Sequence, residues 1–444
     1  MERIFALGSN GSGQLGIGHR DDVSTPVECI FDDDADSQQN ANAGEEAVGR
    51  RRGEVKRIAC GGNHTLILFE DGAVYAAGLN EDLRCGVLRA TTDLGHGEED
   101  GDVFTRFRRV RFGFGATGTV IDRFKDVCAT WSGSCFVAGI PVTDNGGEDK
   151  KDIVISLGTG DKGELGLGPG LRNTSLLAKT AVHGIIDVDG YVLADFPPSK
   201  NIHIEAISSG MNHVVAILSN GDVYGWGASR KGQLGNESEI IAKKIVWAPV
   251  KIDLTDMGVV PKSVSCGREF TFIGGYKKEE TGKYMYTILG TDDKWNILSA
   301  APSVPTLQKS GQTEHIYDVS TSWHGIYLHD TLDGSIIAWG RDDRGQLGLD
   351  EQSSAAKESL VRWDSVSRFM AGSEHAVAVL SDNKTIVSCG WGEHGNCGPD
   401  TDERGNVKGR LSQIQLPVDV LQDDKVTVIR VAAGCATSWI VVSS

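Results

Sequence analysis

Residues 204–235 read IEAISSGMNHVVAILSNGDVYGWGASRKGQLG, and the same grammar recurs along the chain. Two apolar runs flank Asn220-Gly221, a dipeptide that favours the type I′ turn of a tight hairpin. Gly227 follows the return strand and lets the backbone leave it or approach a neighbour closely. A polar loop then ends in Gly-Gln-Leu-Gly. Residues 55–86 (VKRIACGGNHTLILFEDGAVYAAGLNEDLRCG) and 317–348 (YDVSTSWHGIYLHDTLDGSIIAWGRDDRGQLG) follow the same order. Their turns are Asp71-Gly72 and Asp333-Gly334, and their exit glycines are Gly78 and Gly340. The unit is strand, small turn, His, strand, Asp/Asn-Gly, strand, Gly, polar loop.

Weaker copies fill the gaps. Residues 366–398 contain AGSEHAVAVLSDNKTIVSCGWGEHGNCG. Residues 126–168 hold a first half, an insertion, and then IVISLGTGDKGELGLG. Residues 263–298 are the most degraded copy. The ends supply one more unit. RIFALGSNGSGQLG, at 3–16, is only a second half, and VIRVAAGCATSWIVVS, at 428–443, is only a first half. Neither half buries an apolar face alone. Joined, they make a seventh unit, and a ring closed in this way leaves no exposed sheet edge. The expected fold is all-β: a seven-bladed β-propeller, residues 1–444 as one domain, with the closing blade built from both termini.

The Gly-Gln-Leu-Gly loops and Gly-x-x-His hairpins resemble the regulator-of-chromosome-condensation repeat family over nearly the whole chain. The resemblance implies four-stranded blades. Within that family, FALGSNGSGQLGIGHRDD and GWGEHGNCG look like the short fungal members of the alpha-tubulin suppressor type. That likeness implies two partners, the small zinc-binding protein of diphthamide synthesis and the Elongator complex of tRNA wobble-uridine modification. The wider family implies an alternative, guanine-nucleotide exchange on a small Ran-like GTPase.

Composition limits the other classes. The chain carries 57 glycines in 444 residues, so it turns often. Its formal net charge of −17 repels phosphate backbones, and no direct DNA binding is expected. Two basic runs, Arg50-Arg51-Arg52 and 106–111, read as solvated loops or as contacts for an acidic partner. The nine cysteines are scattered and never Cys-x-x-Cys, which fits reduced thiols in the cytoplasm or the nucleus. The start of the chain does not read as a signal peptide, and no apolar run is long enough to span a membrane.

The chemistry-bearing residues mostly read as scaffold. His64, His213, His324 and His375 are expected in one repeat slot, too far apart around a ring to share a metal. Trp226, Trp339 and Trp391 are expected in one register, packing between blades. Two Gly-x-Gly-x-x-Gly matches, at Gly113 and Gly158, precede no convincing helix, and about one match is expected by chance. Asp32, Asp33, Asp34 and Asp36 lack the glycine and distal Glu of a calcium loop. No catalytic set, cofactor motif or metal motif is present, so a binding protein rather than an enzyme is expected.

Departures from the repeat are the better functional signal. Trp391, Glu393, His394, Asn396 and Cys397 stand where other units have Gly-Gln-Leu-Gly. His19, Asp21 and Asp22 continue the first such loop. Both segments fall near the closing blade, and all eight residues are candidate partner contacts. The remaining excursions are read as insertions: 31–53, acidic and expected to be disordered, then 105–120, 142–152, 169–201 and 399–424.

Overall fold

The structure, a computed structural model, describes residues 2–32, 52–88, 102–115, 118–141, 150–176, 181–182, 185–236, 244–255, 258–277, 284–291, 294–302, 317–348, 361–421 and 425–443. The chain folds as a β-propeller. Its described strands form eight sheets, and seven of these are antiparallel meanders that coincide with the repeat units.

We number these seven meander sheets as blades 1 to 7 in chain order, starting with the one that joins both termini. Blade 1 has the order Val23–Glu28, Glu2–Gly8, Thr437–Ser443, Thr427–Ala433. Its two outer strands come from the N-terminus and its two inner strands from the C-terminus. The junction is continuous, with register from Glu2 opposite Ser443 to Gly8 opposite Thr437. Blade 2 runs Val55–Cys60, His64–Phe69, Val74–Leu79, Val103–Arg109. Blade 3 has three described strands, Asp126–Ala129, Gly133–Pro141 and Lys150–Gly158. Blade 4 runs Ile204–Ser209, His213–Leu218, Val223–Ala228, Ile245–Ile252. Blade 5 also has three, Val259–Cys266, Phe270–Lys277 and Tyr284–Gly290. Blade 6 is Asp318–Ser322, Gly325–Asp330, Ser335–Gly340, Val361–Trp363, and blade 7 is Val366–Ala371, His375–Leu380, Ile386–Trp391, Asn406–Ile414.

Four strands per blade therefore hold for five of the seven among the described residues. In blade 3 the outer position is taken by irregular backbone, where Leu193 N–H donates to Val154 O at 2.9 Å. Several stretches read as insertions are structural. Residues 105–120 and 399–424 overlap the outer strands Val103–Arg109 and Asn406–Ile414. Phe112–Phe114, Thr119–Ile121, Ala181–Val182 and Ile185–Asp187 form the small eighth sheet. Phe31, placed in the acidic insertion, is buried and stacks on Phe107 at 5.1 Å. Residues 33–51, the bulk of that insertion, lie outside the described residues. Asp152 closes the insertion read at 142–152, yet it is fully buried in a strand, and residues 142–149 also lie outside the described residues.

The core lies between blades rather than within one. Apolar clusters join blades 2 and 3, 3 to 5, 5 and 6, 6 and 7, 7 and 1, and 1 and 2. A strand of these sheets is thus apolar on both faces; every residue of His213–Leu218 is buried, for instance.

The exit glycine has a steric cause. Gly8, Gly78, Gly158, Gly227, Gly290, Gly340 and Gly390 all have positive φ, from +101° to +152°. At Gly227 a Cβ would stand 2.4 Å from Asn212 O, with no room for it. This register also corrects the tryptophan expectation. Trp226 and Trp339 precede the exit glycine and are fully buried, donating from Nε1 to Glu164 O and Ile297 O. Trp391 follows its exit glycine, Gly390, and is partly exposed. Cys389 holds the equivalent core position.

Candidate functional site

Each blade presents two loops on one face: the short turn between its first and second strands, and the polar loop after its third. A recurring latch ties this face together. His64 Nε2 lies 2.8 Å from Ser134 Oγ on the next blade, and that hydroxyl donates to Arg84 O at 2.6 Å. The same arrangement joins His213, Thr271 and Gln233 O, and again His375, Ser438 and Asn396 O. Because each hydroxyl proton is spent on a carbonyl, the imidazole must donate from Nε2. Burial pushes the His64 imidazole down to about 3 and those of His213 and His375 to about 4, so all three are neutral donors at pH 7. The glycine of Gly-x-x-His makes room for the ring: a Cβ on Gly61 would lie 2.1 Å from His64 Cε1. The repeated histidines are thus scaffold.

His324 does not belong to that set. Gly325 occupies the slot, opposite Gly340, and His324 sits one position earlier. Its ring faces Trp295 instead, with centroids 6.1 Å apart.

The two departing loops meet across the seam between blade 7 and blade 1. His394 Nδ1 lies 2.7 Å from Asp22 Oδ2. The other oxygen of Asp22 accepts Asn10 N–H at 2.7 Å, and Asn10 Nδ2 donates to the carbonyls of His19 and Asp21. Trp391 Nε1 donates to Glu393 Oε2 at 3.1 Å, and its ring meets that of His394 edge-on at 5.3 Å. His19, Asp21, Asp22, Trp391, Glu393 and His394 all keep some exposure. Asn396 and Cys397 are fully buried. They shape the loop from below: Asn396 Nδ2 donates to Trp391 O, and Cys397 fills the leucine position, its thiol pushed up to about 12 by burial. A partner can reach six of the eight candidates directly.

The matched span decides the family. The RCC1-like domain description fits residues 3–440, which covers both half-blades and everything between them. The chain belongs to the RCC1-like domain family. An RCC1 repeat-containing protein of Schizosaccharomyces pombe is 28% identical over 440 residues, 99% of this chain and 98% of the relative. The secretion-regulating guanine nucleotide exchange factor of Bos taurus is 24% identical, over 90% of this chain and 76% of its own. Among solved structures, Prp20p of Saccharomyces cerevisiae matches with a TM-score of 0.64 at 17% identity, over 100% of this chain and 92% of that one. At that identity the likeness speaks for the fold.

The loop face of this RCC1-like domain carries more than the repeat pattern shows. Partly exposed tryptophans form an arc across it, each under a cation. Arg344 lies over Trp391 at 4.8 Å, Arg341 over Trp295 at 5.1 Å, and Arg268 over Trp323 at 5.3 Å. Glu374, buried, pairs with both Arg341 and Arg344 and ties the arc to blade 7. Trp295 and Trp323 went unnoticed in the sequence because they stand at unrelated repeat positions. Their only signal was that tryptophan occurs in polar loops. Among the described residues no group of three or more His, Cys, Asp or Glu side chains could hold a metal, and no helix is long and apolar enough to cross a membrane.

Proposed function

We propose that this chain is a non-catalytic binding protein whose loop face, from Trp323 to the blade 7–blade 1 seam, holds a protein partner. The observation that carries the reading is the tryptophan–arginine arc ending in the His394–Asp22 contact. Partly exposed Trp and Arg side chains on a braced surface are the usual anchors of protein interfaces. We read the seven meander sheets as the blades of a seven-bladed ring.

The partner is read from resemblance. The two segments that look like the short fungal members, FALGSNGSGQLGIGHRDD and GWGEHGNCG, are the two that meet at the seam. This supports an accessory partner of the small zinc-binding protein of diphthamide synthesis and of the Elongator complex, acting in the cytoplasm and the nucleus. Affinity purification from the native host tests it. Recovery of the zinc protein is expected, and its loss on Trp391→Ala would tie it to this face. A clean preparation with neither the zinc protein nor Elongator subunits overturns the reading.

The relatives favour a second reading, nucleotide exchange on a small Ran-like GTPase. The Bos taurus relative is named an exchange factor, and Prp20p is described with its binding to Gsp1p and histones. Release of a labelled guanine nucleotide from a GTPase panel distinguishes the two. Acceleration at micromolar protein supports exchange; none removes it.

A further inference from the structure

His324 is the repeated histidine that the latch does not use. Gly325 holds the latch slot in blade 6, and His324 stands one position before it. Its ring forms no hydrogen bond: Nδ1 is buried and unpaired, and Nε2 is the nitrogen left open. Backbone bonds fix what surrounds it. Arg268 N–H donates to Trp323 O at 3.0 Å, and Arg341 N–H donates to His324 O at 2.8 Å. The inner turn of blade 5 and the polar loop of blade 6 are thereby held on either side of Trp323 and His324. A third wall is Trp295, from the polar loop of blade 5, whose ring faces the imidazole.

The cluster is cationic. Burial first, and then Arg341, Arg268 and Lys294, push the His324 imidazole down to about 4, against the pull of Asp343. These cations are not equally free. Arg341 is held by Asp343 and by the buried carboxylate of Glu374. Arg268 and Lys294 pair with no carboxylate among the described residues, the neighbouring Glu269 included. Each lies against an indole instead, Arg268 over Trp323 at 5.3 Å and Lys294 over Trp295 at 4.4 Å. Two unpaired cations and an open ring nitrogen thus share one patch on a chain whose net charge is −17. Positive charge gathered against the sign of the whole chain calls for an anion. The indole faces beside the cations keep part of the water away, which strengthens a pairing made there.

We infer that this patch between blades 5 and 6 is an oxyanion site, which takes a carboxylate from an acidic segment of a protein partner docked on the loop face. The carboxylate accepts from Arg268, from Lys294 and from the open nitrogen of His324. An amide of the same shape leaves both cations unpaired, and an ammonium is repelled. The patch is open, with Lys294 exposed, so it suits a group carried on a chain rather than an enclosed ion. This rests on the binding-protein reading above, but its test needs no native partner.

The full chain, carrying isotope-labelled histidine, is titrated at constant ionic strength with acetyl-tetraglutamate amide, with its tetraglutamine counterpart, or with inorganic phosphate. The His324 resonance is the one missing from His324→Gln. The glutamate peptide is expected to shift this resonance saturably, with an affinity about tenfold above that of the glutamine peptide, the worth of one charge-assisted hydrogen bond. Arg268→Gln and Lys294→Gln should each weaken it several-fold with the melting temperature held, since neither cation is paired within the chain. The bound carboxylate should also raise the midpoint of the His324 titration by about one pH unit, which binding elsewhere on the chain would not do. Equal affinity for the two peptides, shifts that survive both substitutions together, or tighter binding of free phosphate than of the peptide overturns the site as a place for a partner's carboxylate. A silent His324 with a partner still recovered through Trp391 overturns this site alone; a peptide that binds while the purification comes back empty leaves the site standing and removes the partner named above.

Discussion

A single hydroxyl shows how the loop face is built. Where a blade carries the latch histidine, the next blade carries Ser134, Thr271 or Ser438 to receive it. After Gly133, Phe270 and Gly325, which stand in the same slot, the matching positions are Val214, Ile326 and Ala376. Across these six seams imidazole and hydroxyl come together or not at all, because a buried polar group needs a partner; at the seventh, Thr437 holds the slot and Thr65 carries a buried hydroxyl without an imidazole. Ser134→Ala is expected to destabilise the fold by about 1–3 kcal/mol, read by urea unfolding, because it orphans His64 and Arg84 O together. The same histidines set a pH dependence. Their folded-state values, about 3 for His64 and about 4 for His213 and His375, lie below the unfolded value of 6.5. Below 6.5 the unfolded chain binds more protons, so stability is complete above that pH and is lost as pH falls towards 4. Urea midpoints measured from pH 7 to 4.5 should fall by an amount worth several kcal/mol, on the order expected for three buried imidazoles. A flat profile would mean that the histidines are not buried neutral.

At the scale of elements, the closing blade is the decisive one. Glu2–Gly8 has its inner partner only in Thr437–Ser443, so the C-terminal strands cover an edge that would otherwise be open. Deleting residues 429–443 should leave an aggregated or unfolded chain by size exclusion and circular dichroism. A monomer with unchanged melting would refute closure by these strands. The exit glycines act at the same scale. Gly227→Ala forces a Cβ to 2.4 Å from Asn212 O at a φ of +106°, and a cost above about 2 kcal/mol in thermal melting is expected. Outer strands were harder to see than inner ones. Asn406–Ile414 buries only Val407, Ser412 and Ile414, with four exposed or part-exposed positions in a row between the first two, so it reads as polar loop. His375–Leu380 is buried along nearly its whole length and reads as strand at once.

For the whole molecule, blades are the unit of packing and their loops the unit of recognition. Rigid sheets joined by apolar layers hold the loop face still, and that face can then carry large aromatic anchors without rearranging. Trp391→Ala should weaken capture of the native partner by about 2 kcal/mol or more, read by quantitative pull-down, with the melting temperature held. Replacing Arg410 should change little, since it is paired to Asp400 on the outer strand of blade 7.

The repeat was legible because its causes are local. An Asn-Gly or Asp-Gly turn, an exit glycine at positive φ and a glycine that clears an imidazole each act within a few residues, so one strand of text displays them. From these the propeller, its repeat units and the joining of both termini follow. The seam could be placed only near the closing blade. That His394 touches Asp22 depends on a neighbour 372 positions away, and that Asn396 and Cys397 lie beneath rather than on the surface, and that Trp391 leaves the core register, depends on how the loop packs on its blade and the next. The same holds for the arc of Trp295, Trp323 and Trp391. Blades are specified one at a time by short-range sterics and hydrophobic pattern; a surface assembled from several blades exists only once the ring has brought distant loops together.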